Sequence, residues 1–151
     1  MNGTTAYTGI TYVIPCGAAK LDAPAPARDL YTGAMFRHTL AAAEAAAEGD
    51  EQARILILSA EHGLIGLDEI VAPYDRKMGQ PGSVTAERIA AQAAALGIGW
   101  RAEVDAFLPR AYFQVLDEAL KTLHVYAREV YEFTAGIGEQ RGVNRTVTLA
   151  A

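Results

Sequence analysis

The sequence predicts an α/β fold, three layers deep, with a central, mostly parallel sheet of about four strands between helices. Three observations carry this. Two short runs rich in β-branched and aliphatic residues, "ITYVIP" (10–15) and "RILILS" (54–59), read as buried strands. A helical pattern separates them, and strand and helix go on alternating along the chain, as expected of a parallel sheet with helices on both faces. The polar residues gather in the segments that leave the predicted strands, where such sheets bind ligands.

Each element has a local reason. "CGAAKLDAPAPARDLYTG" (16–33) reads as a long loop, broken by Gly17, Pro24 and Pro26. A helix is expected over 34–48, with Phe36, Leu40, Ala43 and Ala47 on one face and Arg37, Ala41, Glu44 and Glu48 on the other. Gly49 ends it. After the second strand, residues 60–82 read as one long loop, of a length that is usually functional or disordered, and this one is too apolar to be disordered. Ser83 or Thr85 caps a helix running to Leu96. "EVDAFLP" (103–109) fits a third strand better than the end of that helix, because Pro109 and a new helix (111–123) follow at once. Phe113, Leu116, Leu120 and Leu123 give that helix its apolar face. "HVYAREVYEF" (124–133) reads as a fourth strand and its exit, and "AGIGEQRGVNR" (135–145) as a glycine-punctuated loop or a short helix.

Composition bounds the function. A chain of 151 residues is the size of one domain, here 1–151. No apolar run is long enough to cross a membrane, the N-terminus lacks the basic-then-apolar pattern of a secretory signal, and a single cysteine forms no internal disulfide. A cytoplasmic location and no membrane partner are expected. The net charge of −5 argues against coating nucleic acid through bulk attraction. Residues 32–53 hold Arg37 against Glu44, Glu48, Asp50 and Glu51, however, so much of the acid sits on one helix and its exit. Local contact with nucleic acid stays open.

The candidate chemistry lies in five segments. In "PCGAAK" (15–20) small residues leave backbone N–H groups approachable, and Lys20 is a phosphate contact, an amine nucleophile or a plain surface lysine. Cys16 reads as a packing thiol rather than a nucleophile. Arg37 stands in a helix's first turn, against the dipole, which makes sense if it meets a phosphate or pairs with Asp29 or Asp75. In "SAEHGL" (59–64), Ser59, Glu61 and His62 follow the second strand directly. "VAPYDRKM" (71–78) offers Tyr74 for stacking on a base and Asp75 for directing water or stabilising a cationic sugar. Gln140, Arg141 and Asn144 are donors suited to phosphate or base edges. No histidine pair has metal-ligand spacing, and no dinucleotide, Walker, serine-hydrolase or zinc-protease signature is present, so neither metal nor cofactor is expected.

Four of these blocks, "PCGAAK", "PAPARDLYTGAMFR", "LSAEHGL" and "APYD", taken in order, resemble a family of small bacterial and phage proteins catalogued as a domain of unknown function. Its pattern runs Cys-Ser-x-x-Lys, Leu-Tyr-Thr-Gly with a following Phe-Arg, Leu-Ser-Ala-Lys-His-Gly-Leu and Pro-Tyr-Asp, and "GIGEQRGVN" resembles its C-terminal block. Cys16, Lys20, Tyr31, Arg37, Ser59, His62, Tyr74 and Asp75 match it by position. Gly17 stands where the pattern has serine, and Glu61 where it has lysine, which reverses a charge. The family is similar, at a distance, to the uracil-DNA-glycosylase-like fold and to the core of archaeosine synthase, and has relatives in phage pathways that hypermodify thymine.

The resemblance implies chemistry on a modified nucleobase. The expectation is a DNA glycosylase that excises a modified pyrimidine, such as a glucosylated hydroxymethyl pyrimidine, from foreign or phage DNA after flipping it from the stack. Asp75, or else Asp68, directs water or stabilises the sugar, His62 supports the departing base or an adjacent phosphate, and Lys20, Arg37 and Arg141 hold phosphate, with Lys20 alternatively a catalytic amine that forms a Schiff base with the sugar and gives lyase activity. Tyr31 or Tyr74 stacks, and Cys16, Gly17, Ser59 and Gln140 complete the binding set. The alternatives are a transferase in nucleobase hypermodification, which leaves the glycosidic bond intact, and a non-catalytic module that binds a nucleotide or modified base.

Overall fold

The computed structural model describes residues 6–132, 134 and 136–150. Strand β1 (Ile10–Pro15) is central, parallel to β3 (Arg54–Ser59) on one side and to β6 (Glu103–Ala106) on the other. Beyond β6 lies the short parallel β7 (Arg128–Glu129). Beyond β3 lies β4 (Gly63–Gly66), antiparallel, which makes the order β4-β3-β1-β6-β7. The sheet therefore has five strands where about four are expected. The additional edge strand comes from inside the predicted 60–82 loop.

Side chains alternate across the sheet with the period of two that strands impose. Tyr12, Ile14, Ile57, Ile65 and Phe107 point into one core, covered by α2 (Ala34–Ala47). Val13, Leu56, Leu58, Leu64, Val104 and Ala106 point into the other, covered by α3 (Ala86–Ala95) and α4 (Arg110–Lys121). Helices on both faces explain why β1 and β3 are mostly apolar on both sides. Thr85 caps α3, its hydroxyl accepting the Arg88 N–H. The expected faces of α2 hold: Phe36 and Ala43 are buried and Arg37, Glu44 and Glu48 are exposed. The C-terminal glycine-punctuated stretch is a full helix, α5 (Ile137–Ala150), laid against α2.

The two segments expected as long loops are tied to each other. The 16–33 segment contains β2 (Ala25–Pro26) and the single turn α1 (Ala27–Leu30), and β2 pairs with β5 (Ile70–Val71) of the other segment. Backbone bonds Ala27 N–H to Glu69 and Arg28 N–H to Leu67, at 2.8 and 2.9 Å, extend the seam. Neither segment shows helical or alternating periodicity, because each is held by the other rather than by its own pattern. Among the described residues no helix is long and apolar enough to cross a membrane.

Candidate functional site

Strand ends place the polar residues. Chain leaving β1 delivers Cys16 to Lys20, and Ser59 is the last residue of β3, so both groups arrive at the carboxyl edge of two adjacent parallel strands. The β3–β4 turn is tight because Gly63 adopts φ +74°, a left-handed value that a side chain resists. A Cβ there would also lie 2.1 Å from Gln92 Oε1. The turn folds Glu61 and His62 back so that both backbone N–H groups donate to Ser59 Oγ, at 3.1 and 3.0 Å.

From Ser59 a chain of hydroxyls runs inward. Ser59 Oγ donates to Tyr74 Oη at 2.8 Å, and Tyr74 Oη lies 2.6 Å from Tyr31 Oη. Ser59 and Tyr31 are fully buried, and Tyr74 is half-buried. Burial pushes the Tyr31 hydroxyl up from its ordinary 10 to about 12, against the opposing effect of its bond to Tyr74. Tyr74 and Tyr112 are pushed up in the same direction, first by burial and then by the Cys16 sulfur beside them. The phenols are therefore neutral donors at physiological pH. Tyr31, Tyr74 and Ser59 thus bond one another as a closed group of three hydroxyls.

The cluster is flanked by a cation and by a thiol. Lys20 Nζ sits over the rings of Tyr74 and Tyr31, 4.3 and 5.7 Å from their centroids, and donates to the Ala18 carbonyl at 3.2 Å. No carboxylate lies within ion-pair distance of it among the described residues. An antiparallel bridge between Lys20 and Tyr31 fixes this placement. His62 meets Tyr74 edge to face at 5.2 Å. Cys16 Sγ lies 3.3 Å from Tyr112 Oη, on α4. Beside them opens a cleft of about 270 Å³, lined by Cys16, Gly17, Ala18, Arg76, Lys77, Met78, Ala111 and Tyr112.

The structure thus brings Cys16, Gly17, Lys20, Tyr31, Ser59, His62 and Tyr74 to one place. Tyr31 belongs to it through its hydroxyl: its buried ring packs on Phe36 at 5.0 Å and presents no face for a base to stack on. Asp75 follows Tyr74 in the chain, is exposed, and has no ion-pair or hydrogen-bond partner among the described residues. Asp68 pairs with Arg28 at 3.0 Å on the surface. Arg37 is exposed in the first turn of α2 and pairs with neither Asp29 nor Asp75. Gln140 and Arg141 lie on α5; Gln140 is buried and lines a smaller crevice with Leu108, Arg110, Tyr131 and Glu132, and Arg141 is exposed. Of the residues lining the cleft, only Cys16 and Gly17 were expected from the sequence. Tyr112 carried no signal beyond membership of an amphipathic helix. Arg76 stood next to Asp75, and the spacing gave no hint of its pairing with Glu61.

Fold and site together define an α/β protein with a neutral hydroxyl cluster at the carboxyl edge of its parallel strands, beside a lysine that has no carboxylate partner among the described residues. More particularly, the chain belongs to the family of unknown function DUF6884, whose model matches residues 11–143. This agrees with the small domain of unknown function expected from the sequence. No curated protein matches the chain. No solved structure matches it either.

Proposed function

We propose that the protein is a DNA N-glycosylase that excises a modified pyrimidine from foreign or phage DNA. One observation carries the reading: two neutral phenols and the Lys20 ammonium stand together at the strand ends, beside the cleft. When a glycosidic bond to a pyrimidine breaks, negative charge develops on the departing base and positive charge on the sugar. Donors fixed in advance where negative charge develops need no reorganisation during the reaction. The phenols and the ammonium meet the base, and Asp75, on the exposed chain just past Tyr74, meets the sugar or its attacking water. His62 supports the base from the edge of Tyr74. The four sequence blocks add a uracil-DNA-glycosylase-like likeness in the same direction. DNA containing modified bases is the partner, and base flipping brings the glycosidic bond within reach.

Incubating the protein with DNA carrying unmodified, hydroxymethylated or glucosylated pyrimidines, and assaying released base and abasic sites, tests this. Free base and abasic sites from a modified DNA are expected. An intact but heavier base points to the transferase, and binding without turnover to a recognition module. The latter is the second reading, favoured because no group among the described residues holds Asp75 in place. Asp75→Asn keeps the side-chain shape and removes the charge; it is expected to abolish base release with unfolding unchanged. Full activity in that variant removes Asp75 from the mechanism.

A further inference from the structure

Arg76 is held more firmly than a surface arginine needs to be. Its Nε donates to Glu61 Oε1 at 2.7 Å, with both side chains 31 % exposed, and its Nη1 donates to the Pro81 carbonyl. The 79–82 loop closes around the guanidinium so tightly that a Cβ on Gly82, itself at φ +83°, would lie 2.7 Å from Nη1. Partly exposed ion pairs add little stability, so stability alone does not account for fixing this side chain on three sides. Nη2 has no partner among the described residues, and Arg76 lines the cleft beside Cys16, Lys77 and Tyr112. Ala111 and Tyr112, which also line the cleft, belong to the first turn of α4, whose N-terminus has no side-chain cap and adds its positive end.

We propose that Glu61 is a positioning residue: it holds the Arg76 guanidinium at the cleft mouth so that Nη2 donates to a backbone phosphate of bound DNA. This rests on the reading of DNA as substrate. A carboxylate beside a phosphate site is unfavourable by charge alone. It makes sense where the geometry of a fixed guanidinium gains more than the added negative charge loses.

That opposition gives the experiment its sign. Binding of the wild-type protein to a fluorescently labelled duplex carrying the modified base is measured by anisotropy over a series of NaCl concentrations. Arg76→Gln is expected to raise Kd about tenfold and to lower the slope of log K against log [NaCl] by about one. Arg76→Lys keeps the slope but still binds several-fold more weakly, since an ammonium cannot reproduce the fork. Glu61→Gln makes the protein more positive by one charge, and electrostatics alone would tighten binding. Positioning requires it to weaken binding several-fold and to lose the same unit of slope. Tighter or unchanged binding by Glu61→Gln, or an unchanged slope in Arg76→Gln, overturns the clamp and leaves the glycosylase reading standing. Equal competition by the modified nucleoside monophosphate overturns the assignment to backbone phosphate. A wild-type protein that binds no DNA overturns both. Thermal unfolding of each variant, followed by circular dichroism, separates lost contact from lost fold.

Discussion

Tyr74 joins four groups: it accepts from Ser59, shares a hydrogen with Tyr31 and offers its ring to Lys20 and His62. Tyr74→Phe keeps the ring and strips two buried hydroxyls of their partner, at a cost of about 1–3 kcal/mol in denaturant unfolding. Base release should fall with it, since one of the two phenolic hydroxyls beside Lys20 disappears. Tyr31 makes a pH prediction. Its hydroxyl ionises near 10 in the unfolded chain but is held up to about 12 in the fold, so between those values the unfolded state has already lost the proton. Stability from this group is complete below pH 10 and is lost as pH rises toward 12. Urea midpoints measured across that window should decline, and less steeply in Tyr31→Phe. Most of the residues that build the cluster were legible as types at strand ends. Their hydrogen bonding was not, because Ser59, Tyr31 and Tyr74 come from three separate segments.

Strand β4 shows how an element can be hidden from sequence. "GLIG" is four residues long with a glycine at each end, too short for a period of two to register. It exists because β3 offers an edge and Gly63 permits the turn. As the outermost strand it exposes backbone groups that invite another strand to pair. Two side chains cover them. The Gln92 amide accepts from Leu64 N–H at 2.9 Å and donates to the His62 carbonyl at 2.8 Å, mimicking a neighbouring strand, and Glu69 accepts from Gly66 N–H at 3.1 Å. Gln92→Ala is expected to cost about 1–2 kcal/mol for the lost pair of bonds. It should also promote association through the bared edge, visible as a concentration-dependent sedimentation coefficient. A monomeric variant of unchanged stability would show that the edge needs no guard.

Across the molecule, α5 is attached by a buried polar contact as well as by apolar packing. Asn144, fully buried, accepts from the Tyr131 hydroxyl at 2.5 Å and donates to Thr39 at 3.1 Å, tying α5 to α2 and to the chain after β7. Asn144→Ala leaves the Tyr131 and Thr39 groups underbonded and is expected to cost about 2–3 kcal/mol. Hydrogen exchange should then accelerate in α5 before it does in β1 or β3. If the chain is one domain, as its length predicts, unfolding followed by circular dichroism and by tyrosine fluorescence should give coincident transitions.

By itself the sequence determined the strands β1 and β3, the helix between them, the amphipathic helices that follow, and the strand ends at which polar residues gather. Those features depend on local periodicity and propensity, which each segment carries alone. Only the tertiary structure decided that residues 60–82 contain an edge strand, that Tyr31 is buried by its ring while its hydroxyl enters a shared chain, and that Glu61 faces Arg76. Each of these depends on contacts between segments far apart in the chain: β2 on β5, Gln92 on Leu64, and Tyr74 on Tyr31. Pairings of that kind are fixed by packing and by the need to satisfy buried polar groups, which no single stretch of sequence records.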